Sequence, residues 1–294
     1  MTQVAERAPE PTEWTPDEVL SGDVRKELHV LRTRQRNIRI GRVLLIIFLL
    51  VMWQVLSGPP NGKPWELIDE FYVSEPTAMF ETLRSWISDD VLFPNLFTTL
   101  QVTILGFLIG AGLGMLVGFA LGASPYLSAI FSPIVAALYA VPRLALIPLF
   151  LLWFGLGIGS KLALVVTVVF FLVFYNTHEG VRDVDRELVN VLRVMKAKRW
   201  QIHMKVTFPS AMTWIIAGLR VSVPYALVGA VTGEMTASNA GMGYLIIRAS
   251  GQFDTAGVFA GIFVIMIFAL LLGALVTVAE KRFLRWKSNN LAGL

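Results

Sequence analysis

The chain contains no cysteine. That absence excludes disulfides, cysteine-ligated zinc and thiol catalysis. Charge is also scarce. Asp, Glu, Lys and Arg make up 16% of the 294 residues, and 55% are hydrophobic, whereas a soluble domain carries about 25% charged residues. Only three histidines occur, His29, His178 and His203, too scattered to ligate a metal. Catalytic signatures are missing as well. No HExxH or GxSxG is present. GLGIGSK (155–161) superficially suggests a phosphate loop, but Ser160 falls where the second glycine belongs and Leu162 follows the lysine. Glu179, Asp183, Asp185 and Glu187 alternate with arginines and read as a solvated surface rather than an acid/base pair.

What is present is a series of long uncharged runs, the signature of membrane spans. The first is near 42–57, the second 96–121, the fourth 161–177, the fifth 212–235 and the sixth 258–279. The third apolar region, 127–156, is too long for one upright helix and holds Pro133, Pro142 and Pro148. It predicts a span to about Val141, then broken or re-entrant backbone, which survives at membrane depth only in a protein-lined or wet environment.

Charge placement orients the spans. The 58–95 loop is acidic, with Glu66, Asp69, Glu70, Glu75, Glu81, Asp89 and Asp90, and belongs outside. The N-terminal arm, the 178–210 segment and the tail (Lys281, Arg282, Arg285, Lys287) are basic and belong in the cytoplasm. The pattern predicts an all-α integral membrane protein with six transmembrane helices and both termini inside. Its parts are an arm (1–40), a membrane domain (41–285) and a short tail (286–294). Residues 1–22 read as disordered. Residues 24–42 read either as a basic helix lying on the membrane surface or as a solvated arm.

The second span carries Gly106, Gly110, Gly114, Gly118 and Gly122, every fourth residue on one face. Small residues so spaced let another helix backbone approach closely. From Arg186 the cytoplasmic segment turns amphipathic. Leu188, Val191, Leu192 and Met195 form an apolar stripe, while Asn190, Arg193 and Lys196 face elsewhere. Ala197 and Trp200 follow, and Pro209 is read as closing the segment. Such a helix inserts into a groove on a soluble partner or rests on lipid.

The stretches VPRLALIPLFLLWFGLGIGSK (141–161), NTHEGVRDVDREL (176–188), FPSAMTWIIAGLRVS (208–222) and GEMTASNAGMGYLI (233–246) resemble the permeases of importer-type ABC transporters, in the branch for nitrate, sulfonates such as taurine, and related solutes. The resemblance spans roughly residues 40–285 and implies the type I importer permease fold. It implies a second permease copy, two subunits that bind ATP and Mg, and an extracytoplasmic solute-binding protein, in the bacterial inner membrane. No cofactor of the chain's own and no nucleic acid are implied. It makes 178–210 the coupling loop, with Glu179, Gly180, Leu188, Asn190, Val191, Leu192, Arg193, Met195, Lys196, Ala197, Trp200 and Pro209 as ATPase-coupling residues. Three departures stand out: Asn190, Val191 and Leu192 replace Glu-Ala-Ala, Lys196 replaces a glycine, and Phe208-Pro209 replaces Leu-Pro. Lysine tolerates positive φ poorly, so a straightened or tightened turn is predicted at Lys196.

Charges within spans are costly and usually paired or functional. Arg143, beside Pro142, reads either as bordering the path of an anionic solute or as capping carbonyls that the prolines free. Arg220 and Glu234 read as structural partners of other groups, being about 21 Å apart along one helix and unable to pair with each other. A self-sufficient channel or secondary transporter remains the rival reading, though the chain lacks the matching halves many such transporters show. For the solute, the alternative to an anion is a pyrimidine or vitamin precursor.

Overall fold

The computed structural model describes residues 22–57, 70–236 and 238–283. Among these there is no strand, only helices. Helix α1 (Gly22–Leu56) belongs to a unit of its own. The basic stretch and the first apolar run form one continuous helix, although a boundary was predicted near residue 40. No proline falls between residues 22 and 56, and the single Gly41 at the junction is too little to stop the helix from propagating through it. The readings of residues 1–21, of Glu66 and Asp69, and of the tail from 284 lie outside the described residues.

The second unit starts with the short helices α2 (Glu70–Val73) and α3 (Pro76–Ser88), then α4 (Leu92–Gly122). Next come α5 (Pro125–Ala140), a 3-10 turn (Arg143–Leu146) and α6 (Ile147–Phe154). They are followed by α7 (Ile158–Arg182), α8 (Arg186–Val194) and α9 (Arg199–Ile202). A π turn (His203–Thr207) leads into α10 (Phe208–Thr236), and α11 (Met242–Gly251) and α12 (Thr255–Phe283) complete the chain. Among the described residues, five helices are long and apolar enough to cross a membrane, or six if the α5–α6 pair counts as one.

The third apolar region breaks where its prolines act. Val141 is extended, as a residue before proline is driven to be, and α5 and the following helices bend by 84° there. Pro133 is accommodated inside α5, and Pro148 sits in the first turn of α6, where a missing N–H costs little. Gly155, with φ 70°, ends α6.

The core is a three-helix seam of α4, α7 and α10, centred on Val102, Ala111, Val165, Val169, Val173, Ala226 and Ala230. Its tightest contact joins the glycine face of α4 to a row of β-branched residues on α7. A side chain at Gly106 would meet Val165, one at Gly110 would meet Val169, and the series continues through Gly114–Val173, Gly118–Thr177 and Gly122–Val181. Both numbers rise together in steps of four, so the helices run parallel with their i±4 ridges interlocked. At Gly110, Gly114 and Gly118 the added carbon would also lie 2.7–2.8 Å from a carbonyl oxygen of α7. Helix α10 runs the opposite way along α7: Gly233 lies against Lys161, Gly229 against Val165, Gly218 against Asn176, and Trp214 against Gly180.

Candidate functional site

Helix α8 starts at Asp185, whose carboxylate accepts a hydrogen bond from the Glu187 N–H at 2.7 Å. An acidic cap at a helix start is favourable both as an acceptor and for the helix dipole. Leu188, Val191, Val194 and Met195 are all exposed, Met195 to 71%. Trp200 and Met204 extend this apolar surface. Leu192, assigned to the same stripe from sequence, is half-buried, as are Val189 and Ala197; Val194 joins the exposed set in its place. Glu179 and Gly180, read as part of the 178–210 loop, lie in the last turns of α7. Gly180 is buried against the Trp214 ring, so it spaces two helices and presents nothing to a partner.

The turn after α8 is not straightened. Lys196 has φ 57°, the left-handed conformation that the replaced glycine would favour. The Lys196 N–H donates to the Arg193 carbonyl at 2.9 Å and the Ala197 N–H to the Leu192 carbonyl at 3.0 Å. These are the two bonds of a Schellman helix end. They satisfy carbonyls that would otherwise be orphaned, and so hold lysine in a conformation it resists. Lys198 then caps α9 through its backbone N–H, which donates to Gln201 Oε1 at 2.8 Å.

Pro209 does not close the segment. The π turn carries α9 into α10, with the Phe208 N–H donating to the His203 carbonyl five residues back. A proline lacks an N–H and its ring collides with the carbonyl four residues back. Widening the preceding turn is one way to carry a helix past both problems. Helix α9 is therefore continuous with the long apolar helix α10, with no break at the proline.

The intramembrane charges have separate environments. The Arg143 guanidinium lies over the ring of Tyr139 at 4.4 Å and near that of Phe171 at 5.4 Å, with its Nε buried and unpartnered. It does not cap the carbonyls freed by the prolines. Arg220 pairs with Glu280 of α12 at 3.2 Å. Glu234 is wholly buried and accepts from Thr99 Oγ1 at 2.8 Å and from the Gly243 N–H at 3.0 Å. Around it, Thr99 Oγ1 also accepts from the Met242 N–H, Asn95 Oδ1 accepts from the Gly241 N–H, and Gly241 has φ 110°. This node pins the start of α11 to α4.

Sequence reasoning did not single out Lys161. It is buried on α7, and its ammonium donates to Ser238 Oγ at 2.5 Å beside the Glu234 node. A lysine just after a glycine-rich turn and opening an apolar run was the available signal.

Residues 106–285 match the family described as binding-protein-dependent transport system inner membrane component. The chain belongs to that family. It is similar to the putative aliphatic sulfonates transport permease protein SsuC of Bacillus subtilis (strain 168), with 34% identity over 247 residues covering 84% of this chain and 87% of the relative. The formylaminopyrimidine transport permease protein ThiX of Halalkalibacterium halodurans is 31% identical, covering 83% and 94%. Among solved structures, an amino acid ABC transporter superposes with a TM-score of 0.55 at 18% identity, covering 70% of this chain and 97% of that one. The chain is thus a multi-pass inner-membrane protein and the permease component of an ABC importer, which implies ATPase and solute-binding partners.

Proposed function

We propose that this chain is the translocation subunit of an importer for a small anionic solute, driven by separate ATP-binding subunits that engage α8. The observation that carries the coupling half is the outward apolar face of α8, where Leu188, Val191 and Met195 have no cover within the described chain. Partner-seeking helices present apolar anchors at this spacing. ATP and Mg belong to the ATPase subunits, and two permease copies complete the path.

The parallel register of α4 and α7 supports six spans. Two consecutive long spans that run in the same direction need one net crossing between them, and α5 with α6 supplies it. With the basic segments inside, both termini are cytoplasmic.

Arg143 supports the anionic solute. An intramembrane guanidinium with no hydrogen-bond partner among the described residues, held by aromatic faces at a break in a span, is positioned to attract negative charge. The sulfonate relative agrees with this reading and the formylaminopyrimidine relative does not require it. Uptake in proteoliposomes containing the ATPase and the solute-binding protein tests both halves. Leu188→Glu is expected to abolish solute-stimulated ATP hydrolysis, and Arg143→Gln to slow uptake while the ATPase subunits remain bound. Unchanged sulfonate uptake by Arg143→Gln would overturn the anion assignment.

A further inference from the structure

Behind α8 lies a cleft of about 1020 Å3 between the start of α5, the end of α7 and the α8–α9 segment. Arg182, Arg186, Arg193 and Arg199 line it, together with His203. Among the described residues no carboxylate does. Three acids of the same segment have other partners: Glu179 faces His178, Asp183 accepts from Trp214 Nε1, and Asp185 caps α8; the fourth, Glu187, does not line the cleft. The rest of the wall is polar. Ser124, Ser128 and Ser132 line it, with Ser124 Oγ capping α5 and Ser128 Oγ bonded to His178 Nε2 and Ser132 Oγ, and α5 points its N-terminus, the positive end of its dipole, at the cleft. The Nδ1 of His203 is buried with no hydrogen-bond partner.

A basic cytoplasmic face follows from membrane orientation alone. Concentrating four arginines in one concavity, with the acids facing away, does not. Arginine's planar fork matches oxyanions in a two-pronged fashion. We propose that this cleft binds an oxyanion group of the phosphate class, supplied either by a free anion of the cytoplasm or by the headgroup of an anionic lipid.

The location gives binding a consequence. Arg186, Val189 and Arg193 line the cleft, whereas Leu188, Val191 and Met195 are exposed to solvent. The two sets are offset by two positions, roughly 200° around the helix. An anion held by the first set fixes the orientation of the second and links α8 to α5. This consequence rests on the coupling reading; the site itself does not.

The test uses the full-length permease in nanodiscs. In neutral phosphatidylcholine, inorganic phosphate is titrated against chloride at constant ionic strength, and the melting temperature is followed. A saturable rise with phosphate, at least about tenfold weaker in the double variant Arg182→Gln/Arg193→Gln, identifies a free-anion site. A rise only when phosphatidylglycerol replaces phosphatidylcholine, lost in the same variant, identifies a headgroup site. Equal responses to phosphate and chloride with no lipid effect, or an undiminished response in the variant, overturn the proposal. Should the variant not fold, hydrogen exchange on the unmodified protein decides. Phosphate or phosphatidylglycerol is expected to protect 186–194, and the absence of protection with both overturns the site. Coupling is read separately, as ATP hydrolysis by the assembled importer.

Discussion

The α4–α7 seam and the α8–α9 segment obey opposite rules. In the seam, five glycines meet five β-branched residues with no positive φ, and the contact is made wholly within the chain. In the α8–α9 segment a lysine holds a positive φ that glycine would hold more cheaply, and large apolar side chains face outward. Glycine is kept where space is the constraint and dispensed with where conformation is the constraint. A backbone penalty of about 1–2 kcal/mol is tolerable when two hydrogen bonds oppose it; a carbon atom forced against a carbonyl is not. The seam is a finished interface, and on the function proposed above the segment is one half of an interface.

The seam is where that contrast breaks most easily. Gly114→Ile would press a branched side chain against the Phe170 carbonyl and Val173, and overpacking costs about 1–3 kcal/mol even where neighbours yield. Loss of the folded protein from the membrane fraction, or a collapse of thermal stability in detergent, is expected. Gly112→Ile is the control, since nothing lies within 4 Å of the added carbon. Equal damage from the two would mean that glycine matters in α4 for flexibility, not for approach.

The Glu234 node comes next. Glu234→Ala leaves the Gly243 N–H without its acceptor and the Thr99 hydroxyl with only the Asn95 carbonyl, at 3.2 Å. A buried group left unsatisfied costs about 1–3 kcal/mol. Glu234→Gln keeps one acceptor oxygen and should recover part of the loss. Thermal unfolding of the purified permease checks both, and hydrogen exchange should show α11 loosening first. An Ala variant as stable as the parent would mean that other contacts hold α11.

How much of this was legible beforehand depends on whether the signal was periodic. Uncharged runs and the four-residue glycine spacing show in one dimension, because membrane thickness and helix pitch impose them. The partner row Val165, Val169, Val173, Thr177 and Val181 has the same spacing, but in a helix where most residues are apolar it does not stand out. The apolar face of α8 was visible for the same reason as the glycines. Its edge was misjudged, because Leu192 lies at the boundary between two faces. What could not be read was context. Lys196 alone argues against a left-handed turn, and only the bonds to Leu192 and Arg193 explain it. Pro209 alone argues for a helix end, and only the π turn explains its absence. Gly180 resembled a loop glycine until Trp214 was found against it.

The exposed face of α8 should respond differently from the seam. Val191→Ala or Met195→Ala removes an anchor that touches little of its own chain, so permease stability should stay within about 0.5 kcal/mol. Copurification of the ATPase subunits should weaken by about 1–2 kcal/mol per anchor, a factor of roughly ten. Loss of permease stability with retained copurification would reverse the comparison and mark the face as an internal contact.

The smallest effect is also the sharpest. If the hydrogen bonds of the helix end hold Lys196 in place against its own preference, Lys196→Gly relieves strain without altering any contact. Glycine's greater freedom in the unfolded chain offsets part of that gain, so a net local stabilisation of about 0.5–1 kcal/mol is expected. Hydrogen exchange at the amides of Lys196 and Ala197 should slow by a few-fold in the glycine variant, with global unfolding unchanged. Lys196→Pro should do the reverse, since the ring forbids positive φ and removes the N–H that reaches Arg193. Faster exchange in the glycine variant would mean that the lysine is favoured in the turn by its side chain, and that glycine was not lost from this position at a conformational cost.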